Sequence, residues 1–135
     1  YDMKLTTKSE YALLALIYIA RHDKKGFIKI ENICRQYEIS KKYLEQIFVS
    51  LKQARYVKTK TGASGGYRLA KPSDEITLAE IIRLMDGALA PTVAASKYFF
   101  EHTPLEKEEK IMQVFKEIRD YISGKVEGMK ISDLV

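Results

Sequence analysis

Cysteine is nearly missing from this 135-residue chain, where Cys34 is the only one. A lone thiol closes no internal disulfide and cannot build a Cys-rich zinc site. Histidine is scarce too: His22 reads as a capping cation or a solvated side chain at a helix end, and His102 has no second ligand near it. No metal or other cofactor is therefore expected. Long apolar runs are also lacking. The longest, residues 11–20, has ten residues, against the roughly 20 that a membrane span needs. No cleavage-type segment follows it, so neither a secretory leader nor a membrane partner is expected, and the reading is cytoplasmic.

What remains is enough for one core, since 46% of the residues are hydrophobic. Basic residues outnumber acidic ones heavily in one stretch. Between Ser40 and Lys71, Glu45 alone opposes Lys41, Lys42, Lys52, Arg55, Lys58, Lys60, Arg68 and Lys71, a net +7. The whole chain carries +5, so the remainder is −2. Positive charge gathered on a short module points to a polyanionic partner, provided a suitable frame carries it.

The frame is legible. Thr7 and Glu10 form a T-x-x-E box ahead of Tyr11, Leu14, Ala15, Tyr18 and Ile19, which predicts a buried helix over 8–22. A second helix is expected near 31–38, with Ile30, Ile33, Cys34 and Tyr37 on one face and Cys34 as a small buried residue. Ser40 reads as the N-cap of a third helix. Leu44, Ile47, Phe48 and Leu51 give it an apolar stripe; Lys42, Glu45, Gln46, Val49 and Gln53 fall opposite, on a face with little to bury. Two helices and a four-residue joint make a helix-turn-helix candidate.

Residues 56–60 and 67–70 alternate as half-buried strands do, and Thr61-Gly-Ala-Ser-Gly-Gly66 lies between them. Glycine accepts positive φ, so this is the tip of a hairpin. Helix, helix, hairpin is the order of a winged helix, with Lys58, Lys60 and Arg68 on the hairpin arms where they could approach phosphates. Gly62-Ala-Ser64-Gly-Gly66 also matches G-x-S-x-G formally, but a nucleophile elbow needs a helix after the turn, with an acid and then a histidine downstream. Here a strand follows, and the Gly-Lys-Ser/Thr of a P-loop is absent. No enzyme is expected; a Ser64 hydrolase remains only as a rival that a serine-directed probe would test.

Thr77 and Glu80 make a second capping box, and Leu78, Ile81, Ile82 and Met85 pattern a fourth helix that Gly87 ends. Tyr98, Phe99, Phe100 and His102 could line a pocket for a small effector, form a docking surface, or be core. Thr103-Pro-Leu-Glu106 then signals a long helix of about 20 residues, stopped by Gly124, with proline at its first position. Its stripe, Ile111, Val114, Phe115, Ile118, Tyr121 and Ile122, overhangs a compact winged helix. A second subunit is the expected cover, since twofold dimers suit palindromic DNA.

Four stretches carry a family resemblance: MKLTTKSEYA at 3–12, ISKKYLEQ at 39–46, GASGGYRL at 62–69 and EITLAE at 75–80. Together they resemble the Rrf-two family of bacterial winged-helix transcription regulators, related to the iron–sulfur cluster regulator and the cysteine-metabolism regulator. The resemblance implies a mainly α fold with a small β-hairpin. A winged helix-turn-helix domain would span 3–87, a linker or sensor segment 88–103, and a dimerisation helix with a tail 104–135. It implies a homodimer joined by crossed long helices and set on double-stranded DNA with a palindromic operator. By position, Ser40, Lys41, Lys42, Tyr43, Glu45 and Gln46 would approach DNA from the third helix, and Thr6, Thr7 and Lys8 would touch a phosphate. Lys58, Lys60, Thr61, Gly62, Ser64, Gly65, Gly66 and Arg68 would supply the wing. Two departures stand out. Many relatives carry an arginine just before the glycine turn, where this chain has Thr61 preceded by Lys60. Cluster-binding relatives also hold an iron–sulfur centre with three cysteines between helix four and the long helix, and residues 90–104 contain none. The expectation is a regulator without that cluster, open to a small-molecule effector or partner protein. The rival is a winged helix that mainly docks another protein.

Overall fold

The computed structural model describes residues 5–87 and 102–135. Helix α1 (Thr7–Arg21) runs through the middle of the core, with Ala12, Ala15, Leu16 and Ile19 completely buried at helical spacing. Helices α2 (Ile30–Tyr37) and α3 (Lys41–Gln53) pack beside it. The antiparallel hairpin β1 (Val57–Lys60) and β2 (Gly66–Leu69) pairs Val57 with Leu69, Lys58 with Arg68, Thr59 with Tyr67 and Lys60 with Gly66. Helix α4 (Leu78–Asp86) and the long α5 (Glu109–Glu127) complete the order. The fold is mainly α with one hairpin, as expected.

Local chemistry sets most boundaries. Ser40 caps α3 by accepting from the Tyr43 N–H at 3.4 Å. The expected stripe of Leu44, Ile47, Phe48 and Leu51 is buried, and Lys42, Glu45, Gln46, Val49 and Gln53 are all exposed. The Phe48 ring stacks on Tyr67 at 4.1 Å between centroids, which locks the hairpin onto α3. Helix α3 ends with the Arg55 N–H on the Lys52 carbonyl (3.0 Å) and the Tyr56 N–H on the Leu51 carbonyl (2.9 Å), the two bonds of a Schellman stop. Arg55 takes φ 66° to make it. The Thr77 box closes fully. Its N–H reaches Glu80 Oε2 at 2.8 Å, and the Glu80 N–H returns to the Thr77 hydroxyl at 3.2 Å.

Several expectations need correction. α1 starts at Thr7 rather than residue 8, and no Thr7–Glu10 box forms, because Thr6 is the cap position. The Thr7 hydroxyl lies instead 2.9 Å from the Tyr43 hydroxyl. α2 begins one residue earlier than expected, at Ile30, and Cys34 is only half-buried. The strands are 57–60 and 66–69 rather than 56–60 and 67–70. Pro104–Lys107 is a 3-10 turn, and α5 begins only after the extended Glu108. No capping box forms at Thr103, and Glu106 contacts His102 Nδ1 at 2.9 Å instead. Nor does Gly124 stop α5, which runs on to Glu127. A mid-helix glycine costs about 1 kcal/mol, and Ile122 and Val126 on either side of it offset that by packing against Ala79 and Ile82.

The chain after α5 returns to the core. Ile131 is completely buried, its N–H donates to the Ile76 carbonyl at 2.9 Å, and the Leu78 N–H donates to the Met129 carbonyl at 2.9 Å. Arg21 ties down the following turn through the Leu134 carbonyl at 3.1 Å.

Candidate nucleic-acid interface

Three elements meet around the first turn of α3. Lys29, just ahead of α2, donates to the Gly62 carbonyl at the hairpin tip (3.0 Å), and Glu31, two residues on, holds Lys41 at 2.7 Å. The hairpin tip and the start of α3 therefore both contact the N-terminal end of α2. From the other flank, Thr7 at the start of α1 meets the Tyr43 hydroxyl. Neither Lys29 nor Glu31 was singled out from the sequence. Both belong to pairs between elements, which spacing along one helix does not reveal.

The tip has to be glycine at the points where the chain is tight. Gly62 has φ 95° and Gly66 φ 146°. A Cβ on Gly65 would stand 2.0 Å from the Lys60 carbonyl oxygen, and one on Gly66 2.3 Å from that of Ile28. Thr61 and Ser64 are exposed on the tip. No helix follows Ser64, so it stands on a hairpin tip rather than on an elbow. Lys58 and Arg68 face each other on the outer face of the hairpin, with Lys60 beside them. Lys60 lies 5.9 Å from the centre of the Phe27 ring, whereas Arg68 is drawn away to Asp23 at 3.2 Å.

On α3, Lys42, Glu45 and Gln46 are exposed and carry no ion pair among the described residues, so they are free to meet a ligand. Lys41 is engaged already. Its hydrogen bond pulls the Glu31 carboxyl below the ordinary range, and Glu31 raises the Lys41 ammonium in return. Tyr43 is half-buried: its ring lies edge-on to Tyr11 at 5.5 Å, and its hydroxyl is 2.9 Å from that of Thr7. Lys8 is exposed beside it. Thr6 is not open. Its N–H donates to Asp86 Oδ2 at 2.9 Å and its hydroxyl to Asp86 Oδ1, so a carboxylate from the end of α4 stands where a phosphate was expected.

Of the effector residues, Tyr98, Phe99 and Phe100 lie outside the described residues, and His102 is exposed beside Glu106. His22 stacks on Tyr18 at 4.1 Å, with Nδ1 2.8 Å from the Tyr18 carbonyl. Among the described residues no cluster of His, Cys, Asp and Glu suits a metal ion. Burial pushes the Cys34 thiol up, with Glu31 adding to it, away from the thiolate that a cluster ligand must be.

A family model described as Rrf2, iron-dependent transcriptional regulator, matches residues 5–135. The chain belongs to the Rrf2 family. Among its Rrf2 relatives, CymR of Bacillus subtilis is 32% identical over 132 residues, 98% of this chain and 89% of CymR. The solved structure of that protein, described as the global cysteine regulator, overlays with a TM-score of 0.77 at 30% identity, covering 97% of this chain and 95% of the other. IscR of Cereibacter sphaeroides is 38% identical over 86 residues, 62% of this chain and 56% of IscR. The T. potens IscR structure gives a TM-score of 0.70 at 27% identity over 97% of this chain and 85% of that one. This Rrf2 protein is accordingly a DNA-binding winged-helix transcription regulator. None of its described helices is long and apolar enough to cross a membrane.

Proposed function

We propose that the protein acts as a homodimer on a palindromic operator, with α3 entering the major groove and the hairpin tip following the backbone beside it. The observation that supports this reading is the tie from Lys29 to Gly62 and from Glu31 to Lys41, which gathers the tip and the helix start at one end of α2. Gln46 would pair with an adenine edge, Glu45 would accept from a cytosine amino group, and Lys42 and Lys58 would hold phosphates. The twofold partner would cover the open side of α5, where Ile111, Val114 and Tyr121 are exposed by 43%, 51% and 76%. The division into a reading domain at 3–87, a linker at 88–103 and a dimerisation segment at 104–135 belongs to the same proposal.

Although the family model is described as iron-dependent, the residues present do not fit a thiolate-held cluster. Cys34 is the only cysteine, and its thiol is shifted away from ionisation. The proposed regulator therefore works without one, as a non-enzyme whose signal is a small effector or a partner protein. Asp86 tempers the expected phosphate contact at Thr6, because one carboxylate already uses both donors.

Titration of operator binding against salt tests the reading. If each protomer neutralises about five phosphates, the log–log slope approaches about −9 per dimer. A slope near zero would favour the rival in which the module chiefly docks a protein. Gln46→Ala should relax preference at one or two base pairs, whereas Lys58→Ala should weaken all sequences alike. Equal losses on specific and random DNA for Gln46→Ala would contradict the assignment.

A further inference from the structure

Three cations of the basic stretch, Lys52, Arg55 and Lys71, take no part in the interface above. With Lys58 they border a groove between the end of α3 and the base of the hairpin, with Val57 and Ala70 along its floor and no acidic residue in its lining. Residues 40 and 55 bracket α3, which at about 1.5 Å per residue puts this groove roughly 20 Å along the helix from the reading end.

The groove also follows an open strand edge. The Ala70 N–H donates to the Tyr56 carbonyl at 2.9 Å. Pairs along an antiparallel ladder alternate, so Lys58 and Lys60 bond inward to β2 while Thr59 turns its N–H and C=O outward. On the opposite edge the same outward groups of Tyr67 are satisfied by Ile28, in two bonds of 2.8 Å each. Thr59 has no such partner among the described residues, and it is exposed. One edge of the wing is closed and the other is open.

Arg55 adds an independent observation. It occupies the left-handed position of the Schellman stop at φ 66°, where glycine is the usual residue. A side chain there costs about 1 kcal/mol. The chain carries a guanidinium at a place where local folding would prefer none, and that guanidinium borders the groove.

We propose that this groove docks an acidic, extended segment of another protein, which adds to the wing beside Thr59 as Ile28 does beside Tyr67. Backbone pairing supplies the seat, and Lys52, Arg55 and Lys71 select carboxylates flanking it. Two copies of this edge repel one another, so self-pairing is disfavoured. The apolar floor of Val57 and Ala70 suits side chains of a peptide, whereas a bare phosphate backbone has nothing to bury there.

The test uses the full chain, 15N-labelled, and a ten-residue peptide alternating glutamate with valine. Amide shifts are expected at Thr59 and along 52–58, and a peptide with lysine replacing glutamate should leave them unmoved. Lys52→Glu with Arg55→Glu should weaken binding about tenfold or more. Thr59→Pro takes away an outward N–H without breaking a ladder bond, so it should abolish binding while the circular dichroism stays native. Arg55→Gly separates docking from folding: it should raise Tm yet weaken the peptide. No shift at millimolar peptide, or shifts confined to Lys42–Gln46, overturns the proposal. So does a loss of operator affinity in the double variant as large as that of Lys42→Ala, which would give the groove to DNA instead.

Discussion

Helices α1 and α5 both carry apolar residues at helical spacing, α1 in a mostly apolar sequence and α5 in a highly charged one, and they meet opposite fates. α1 spans 15 residues and sinks Ala12, Ala15, Leu16 and Ile19 completely, with half-buried neighbours on its remaining sides. α5 spans 19 residues, buries Met112 and Ser123, and leaves Ile111, Val114 and Tyr121 in the open. An apolar stripe that the described residues leave open is a candidate surface for association. The lesson is that amphipathic pattern states only that a face will be covered. Which body covers it depends on how much core is already filled: α1 is enclosed by α3, α4, the hairpin and the final turn, whereas α5 touches chiefly α4.

The comparison breaks most sharply at Phe48. Phe48→Ala empties a fully packed site against Tyr67 and should cost about 3–5 kcal/mol, seen as a large fall in Tm in chemical or thermal melts. A substitution on α5 should behave differently. Val114→Glu should leave the melt of the isolated chain nearly unchanged but shift sedimentation from dimer to monomer, and operator affinity should fall by about 10²–10⁴ as bivalency is lost. If Val114→Glu instead melts the chain, the exposed face is part of a single body and the contrast between the two helices disappears.

The smallest effect lies at the seam between hairpin and α4. Tyr56 donates to Glu80 Oε1 at 3.1 Å, and burial, with Glu80 adding to it, raises its hydroxyl from 10.0 to about 12. A raised folded value means that this contribution is whole below pH 10 and lost as pH climbs to about 12. Tyr56→Phe should therefore flatten the fall of Tm across that alkaline window, and a window unchanged in the variant would assign the loss to another group.

How much of this was readable beforehand depended on the range of the interactions. The Thr77 box and the stripe from Leu44 to Leu51 are local, and both stand as the pattern implies. The glycines at 62, 65 and 66 announce a tip: Gly62 by its φ of 95°, Gly65 and Gly66 by the close approach of Lys60 and Ile28. Misreadings arose where a distant or neighbouring group took a partner away. Asp86, 80 residues from Thr6, binds the cap position of α1, and His102 takes the carboxylate meant to cap the start of α5. Arg68 stands on the hairpin arm as expected but pairs with Asp23 at 3.2 Å, a partner that strand spacing does not show. In the proposed interface, Lys42 and Gln46 were legible as exposed polar positions, while the ties through Lys29 and Glu31 were not, because only the fold brings those partners together.

The buried place of Ile131 has a consequence for synthesis. Every other residue of that central cluster lies at or before Ile81, so the wall around α1 stays unfinished for some 50 residues of translation. A ribosome pausing within α5 would display a nascent winged helix with a socket open beside Ile76. The core around α1 can be completed only after the whole of α5 has been made.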